Sequence, residues 1–148
     1  MQVNCINMKN STHSCREELK GHALKVTPIR LAVLDMLEHT KKPVDIALIR
    51  EYLEKRHIHI DPATIFRTVN TFTAKGITKQ VQLLEGRVRY ELSSRKEHHH
   101  LVCDRCGSIE DISDCSIGKL EKEIRNKKGF ITKSHSLEFF GICKDCQS

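Results

Sequence analysis

This sequence predicts an α+β protein in two parts, a three-helix unit closed by a β-hairpin and a smaller α/β unit rich in cysteine and histidine. Three observations predict it. Thr27-Pro28 and Asp61-Pro62 each place a capping residue before a proline, and each opens an apolar stripe at helical spacing. Two strand-like runs, 77–84 and 87–92, meet at Glu85-Gly86, which reads as a hairpin turn. Two C-x-x-C pairs, Cys103 with Cys106 and Cys143 with Cys146, can each hold one edge of a metal tetrahedron with Zn–S distances of about 2.3 Å.

Taken in order, residues 1–14 are polar without periodicity and read as a flexible arm, and a short helix is expected over 16–22. From Thr27 the residues Ile29, Ala32, Val33, Met36 and Leu37 form one stripe, to about His39. Asp45 caps a second helix with Ile46, Ile49 and Leu53 inward. Behind Asp61-Pro62 the residues Ile65, Val69 and Phe72 mark the buried side of a third, which Gly76 ends, and Thr64, Phe66, Arg67, Thr68 and Thr71 fall on its outer face. Three helices then a hairpin is the order of a winged helix-turn-helix, in which the third helix enters the major groove and the hairpin is the wing. That domain spans 15–92, a polar hinge 93–97, and a zinc-stapled α/β dimerisation domain 98–148. In the last, strands are expected over 98–102 and 108–112, a helix over 116–128 with Ile117, Leu120 and Ile124 inward and Gly129 as its stop, and a strand region over 130–142.

Composition limits the partners. The 148 residues carry a net charge of +6, with 15 Lys and Arg against 10 Asp and Glu up to Leu92 and 10 against 9 beyond it, so the basic surface belongs to the first part. A polyanion suits it, and double-stranded DNA is the expected partner. No apolar run approaches the roughly 20 residues of a membrane span, and the N-terminus lacks the build of a secretion signal. The expectation is a cytoplasmic protein. Seven cysteines, an odd number, with two C-x-x-C pairs favour metal-bound thiols over disulfides, and leave Cys5, Cys15 and Cys115 as free thiols. Two halves this small also favour a dimer.

The chemistry gathers between Glu91 and Cys106. A strand's period of two puts His98 and His100 on one face, Glu97 and His99 on the other. If the strands pair across the Cys103–Cys106 knuckle, Glu91, His98, His100 and Asp111 can converge, a nitrogen and oxygen donor set suited to iron(II), manganese or zinc. No H-E-x-x-H, Gly-rich phosphate loop or telling general base accompanies them, so an enzyme is not expected.

The stretches L-K-V-T-P-I-R, D-P-A-T-I-F-R-T-V-N-T-F, E-H-H-H-L-V-C-D-R-C-G and S-H-S-L-E-F-F-G-I-C resemble the ferric uptake regulator family of metal-dependent repressors, over nearly the whole chain from Leu24. The resemblance implies a homodimer that binds a palindromic operator when loaded with a divalent metal, with structural zinc on Cys103, Cys106, Cys143 and Cys146. By position it implies a sensing site at Glu91, His98, His100 and Asp111, with Fe2+ as the first choice and zinc-, manganese- and peroxide-sensing members as alternatives. It implies an additional site at Glu97, His99 and His135, whose carboxylate partner is replaced here by Gly118, and DNA contacts from Lys25, Thr64, Phe66 and Arg67. Pro43 stands where many members have a histidine ligand. A different class of reading is a zinc-stapled DNA-binding module that senses nothing.

Overall fold

A computed structural model describes residues 8–83, 86–113 and 116–148. The chain divides into two units, one ending at Arg95 and the other beginning at Lys96.

The first unit holds α1 (Met8–Gly21), α2 (Pro28–His39), α3 (Ile46–Glu54), α4 (Pro62–Ala74), β1 (Thr78–Gln82) and β2 (Val88–Leu92). Side chains start the last three helices. The Thr27 hydroxyl accepts from the Arg30 N–H at 3.4 Å, Asp45 Oδ1 from Leu48 at 2.9 Å, and Asp61 Oδ1 from Ala63 at 2.6 Å. Gly76, at φ +74°, turns the chain out of α4, with the Ile77 N–H donating to the Phe72 carbonyl. Val33, Leu34, Leu37, Ile49, Leu53, Ile65, Val69 and Phe72 are buried together, which fixes α4 by its inner face and leaves its outer face to solvent.

Three features differ from the sequence reading. Helix α1 begins at Met8, inside the stretch whose polarity predicts an arm, and Cys15 and Leu19, four apart on one face, are fully buried in the core. On α2, Leu34 is buried while Ile29 and Ala32 are only partly so, because this helix packs against α1 as well as α3 and α4. Thr68 faces inward, its hydroxyl donating to the Thr64 carbonyl at 2.9 Å. The hairpin pairs antiparallel, Lys79 opposite Glu91 and Gln80 opposite Tyr90, and Val44 bridges to Tyr90 on the free edge of β2. Of the expected turn, Gly86 has φ +71°, and Glu85 lies outside the described residues.

The second unit holds β3 (His99–Cys103), β4 (Ile109–Ile112), α5 (Ile117–Lys128), β5 (Glu138–Gly141) and a 3-10 turn, Lys144–Cys146. Strand β3 is central, antiparallel to β4 and parallel to β5. Gly129, left-handed at φ +63°, ends α5 as expected. The expected strand over 130–142 is reduced to Glu138–Gly141. Ile117, Leu120 and Ile124 are not buried within the protomer, and Leu120 is 51% exposed. With Phe130, Ile131, Phe139, Phe140 and Ile142 also exposed, this small unit keeps much of its apolar surface uncovered.

Candidate metal centres and nucleic-acid interface

The sulfur cluster is built by the sheet. Strand β3 ends at Cys103, the knuckle after it carries Cys106, and the chain leaving β5 supplies Cys143 and, one 3-10 turn later, Cys146. The Asp104 N–H donates to the Gly141 carbonyl at 2.7 Å, closing the knuckle on β5, and Gly107 at φ +70° turns it back toward Ser108. All four sulfurs lie within 4.8 Å of one another, and Cys106 Sγ is 3.7 Å from Cys143 Sγ. A zinc tetrahedron with 2.3 Å bonds has edges of about 3.8 Å, so the set fits.

Its electrostatics also suit a cation. Peptide N–H groups of Cys143 and Cys106 aimed at Cys103 hold its thiol down at about 6, and the Ser108 hydroxyl and N–H lower Cys106. Hydrogen bonding to the sulfurs of Cys143 and Cys106 pushes Cys146 up to about 12. Four sulfurs this close share protons unless a cation replaces them. Cys15 is different: burial first, then Glu38, pushes it up to about 12, an unreactive packed thiol. Cys5 and Cys115 lie outside the described residues.

The histidine strand sorts its side chains as its period predicts. In the second unit His100 stands directly opposite Asp111, and the His98 and His100 rings lie 4.9 Å apart. His98 Nδ1 donates to the Lys96 carbonyl at 2.6 Å, which leaves Nε2 as the lone-pair nitrogen. Glu91 belongs to the first unit, near the end of β2. There its buried carboxylate pairs with Lys79 at 3.1 Å and with Arg95 at 2.9 Å. Pro43 is buried, and its carbonyl accepts from Arg89 at 3.3 Å, so that position offers packing in place of a ligand. His39 is turned onto Asp35, whose carbonyl accepts from its Nδ1 at 2.8 Å.

On the other face of β3, His99 lies 5.2 Å from His135, ring to ring. His135 Nε2 is 3.0 Å from Glu97, and its Nδ1 is 3.3 Å from Glu121. The sequence reading assigns no role to Glu121. Its signal was available: Glu121 is three residues beyond Gly118 and so on the same helix face.

On the outer face of α4, Phe66 is 50% exposed, and Arg67 is held by the Thr64 hydroxyl at 3.2 Å. Lys25 is exposed ahead of α2, where its carbonyl accepts from Arg30 at 2.9 Å. In the hairpin Arg87 is instead tied to Asp45 at 2.9 Å and Arg89 is buried. No helix among the described residues is long and apolar enough to cross a membrane.

Comparison with known proteins agrees with this arrangement. The model of the ferric uptake regulator family matches residues 21–140. A ferric uptake regulation protein of Bordetella parapertussis is 35% identical over 140 residues, covering 90% of this chain and 97% of that protein. A peroxide-responsive repressor of Staphylococcus saprophyticus is 30% identical over 131 residues, 87% of this chain and 86% of its own. The crystal structure of the Vibrio cholerae ferric uptake regulator superposes with a TM-score of 0.77 at 32% identity, covering 86% of this chain and 98% of that one. The chain therefore belongs to the ferric uptake regulator family, whose members are metal-responsive, DNA-binding dimers.

Proposed function

We propose that this protein is a cytoplasmic transcriptional repressor, without enzymatic activity, that binds a palindromic operator as a homodimer when loaded with iron(II). The supporting observation is the separation of two donor sets in the second unit: a closed group of four sulfurs, and a nitrogen and oxygen group made by His98 just ahead of β3, His100 on β3 and Asp111 opposite it on β4. The first set suits structural zinc, and the second suits a harder, exchangeable cation.

In this reading Cys103, Cys106, Cys143 and Cys146 hold the zinc, and His98, His100 and Asp111 hold the sensed ion with Glu91 as the ligand from the DNA-binding domain. When bound, that ion supplies the positive charge that lets two carboxylates and two imidazoles share one point. Residues 93–97 act as the hinge between the halves. Closing it presents α4 of each protomer to major grooves about 34 to 36 Å apart. Lys25 and Arg67 meet the DNA backbone or a guanine edge, Thr64 holds the Arg67 guanidinium, and Phe66 packs on a thymine methyl. Glu97, His99 and His135 form an additional cation position, with Glu121 accepting from His135 Nδ1 and setting which nitrogen faces the ion.

Manganese and zinc share the donor chemistry of the sensing set, and the absence of a thiolate from it favours iron or manganese over zinc. Metal analysis after mild chelation, followed by anaerobic iron(II) or manganese(II), tests the reading. Zinc should stay bound while a second metal returns, and Glu97→Gln should lower occupancy of the additional position alone. Tightly held zinc with no second metal restored would leave a zinc-stapled module that senses nothing.

A further inference from the structure

Glu91 is engaged by cations from its own domain. In the hairpin register Lys79 stands directly opposite it, with Nζ 3.1 Å from Oε1. Four residues on, Arg95 places NH1 2.9 Å from Oε2. The Glu91 side chain is 2% exposed, so these are not the loose ion pairs of a surface. A carboxylate taken out of water needs compensating charge: Arg95 donates a hydrogen bond to Oε2, while the Lys79 ammonium balances Oε1 by proximity alone.

The two cations differ in freedom. The Lys79 side chain is 45% exposed on a flexible stem, whereas Arg95 is 22% exposed and presents a planar guanidinium. Lys79 can swing into water without moving the backbone, at the cost of its ion pair with Glu91; Arg95 is the more fixed of the two.

We propose that Lys79 is a built-in competitor for the regulatory cation: it occupies one oxygen of Glu91 in the metal-free protein and must leave when the ion binds, while Arg95 orients the other oxygen. This rests on Glu91 being a ligand of the sensing site. A divalent ion bonded to Glu91 at about 2.2 Å would stand roughly 5 Å from an ammonium left on the same oxygen. Repulsion between +2 and +1 at that distance is unfavourable even at high dielectric. Displacing Lys79 therefore draws on the metal's binding energy, and the pair sets the concentration at which the site fills. Metal-free Glu91 is accordingly not a bare acidic residue waiting for an ion.

The test is a manganese(II) titration of the zinc-retaining dimer against a chromophoric chelator, with circular dichroism to show that each variant is folded. Lys79→Met keeps the aliphatic stem and removes the charge, and should bind manganese about tenfold more tightly than wild type, equivalent to about 1.4 kcal/mol no longer spent on breaking the Lys79–Glu91 pair. Lys79→Arg keeps the charge and should bind like wild type. In a Glu91→Gln background the advantage of Lys79→Met should shrink, since the contested oxygen is gone. If Lys79→Met binds no tighter than wild type while Glu91→Gln binds more weakly, the competitor role is wrong and Glu91 remains a ligand. If Glu91→Gln leaves manganese affinity unchanged, the assignment of Glu91 to the sensing site fails, and this proposal with it.

Discussion

Phe66 on α4 and Lys25 ahead of α2 are both exposed and offer a partner different chemistry. Phe66 offers a half-exposed ring without a hydroxyl, so its contribution is apolar contact. Phe66→Ala should cost on the order of 1 to 3 kcal/mol on the preferred operator and less on random DNA. Lys25→Ala should instead weaken binding to all sequences alike and flatten the salt dependence by about one unit of slope. Equal losses on operator and random DNA for Phe66→Ala would show that α4 does not read bases through this ring. In the hairpin Arg89 is buried, while Arg87 is paired with Asp45 but keeps 58% of its side chain exposed. At this scale the sequence was informative wherever a spacing rule applied. The cysteine pairs and the alternation of His98, His99 and His100 could be sorted from position alone. Thr68 could not, since it lies at the edge of a stripe whose width depends on the neighbours of α4; Glu121 shares a helix face with Gly118, but its pairing with His135 shows only in the fold.

Among the elements, the junction of α3 with the hairpin depends on one carboxylate. Asp45 caps α3 through the Leu48 N–H and also accepts from Arg87 on the hairpin. Burial alone would push its carboxyl up, but the Leu48 hydrogen bond and then Arg87 outweigh it and hold it below the usual carboxylate range. The sign follows from that direction. A carboxyl depressed in the folded state contributes fully above its unfolded value of about 3.9, and the contribution is lost as pH falls through the lower folded value. Asp45→Ala should therefore cost about 1 to 2 kcal/mol at pH 7, and the gap in melting temperature from wild type should narrow as the pH falls below 4. A gap unchanged by acid would mean that the charge contributes nothing. Helices α2 to α4 were legible because each begins with a side-chain cap and buries a stripe. Helix α1 was legible only in its second half, as the short helix expected over 16–22; its start at Met8 was not, since among the described side chains Cys15 and Leu19 are buried amid polar and charged neighbours. In α5 the apolar spacing was legible but its destination was not. Ile117, Leu120 and Ile124 fall on one face as predicted, yet a protomer alone does not cover them, and a stripe in the sequence does not say which chain will.

For the whole molecule, the division of charge matches a division of labour. The first 92 residues carry most of the excess positive charge and the exposed α4 face, while the remainder carries the sulfur cluster, the histidine strand and the uncovered apolar surface suited to a second copy. Neither part explains regulation alone. A DNA-binding domain answers to a metal only if the metal binds the DNA-competent form more tightly than the other, and such coupling is necessarily reciprocal. The most direct measurement is calorimetry on the zinc-retaining dimer in both directions, operator binding with and without anaerobic iron(II), and iron(II) binding with and without operator. The account predicts that each ligand tightens the other by the same factor, typically about 5- to 150-fold. Operator affinity that is the same with and without the metal would contradict it.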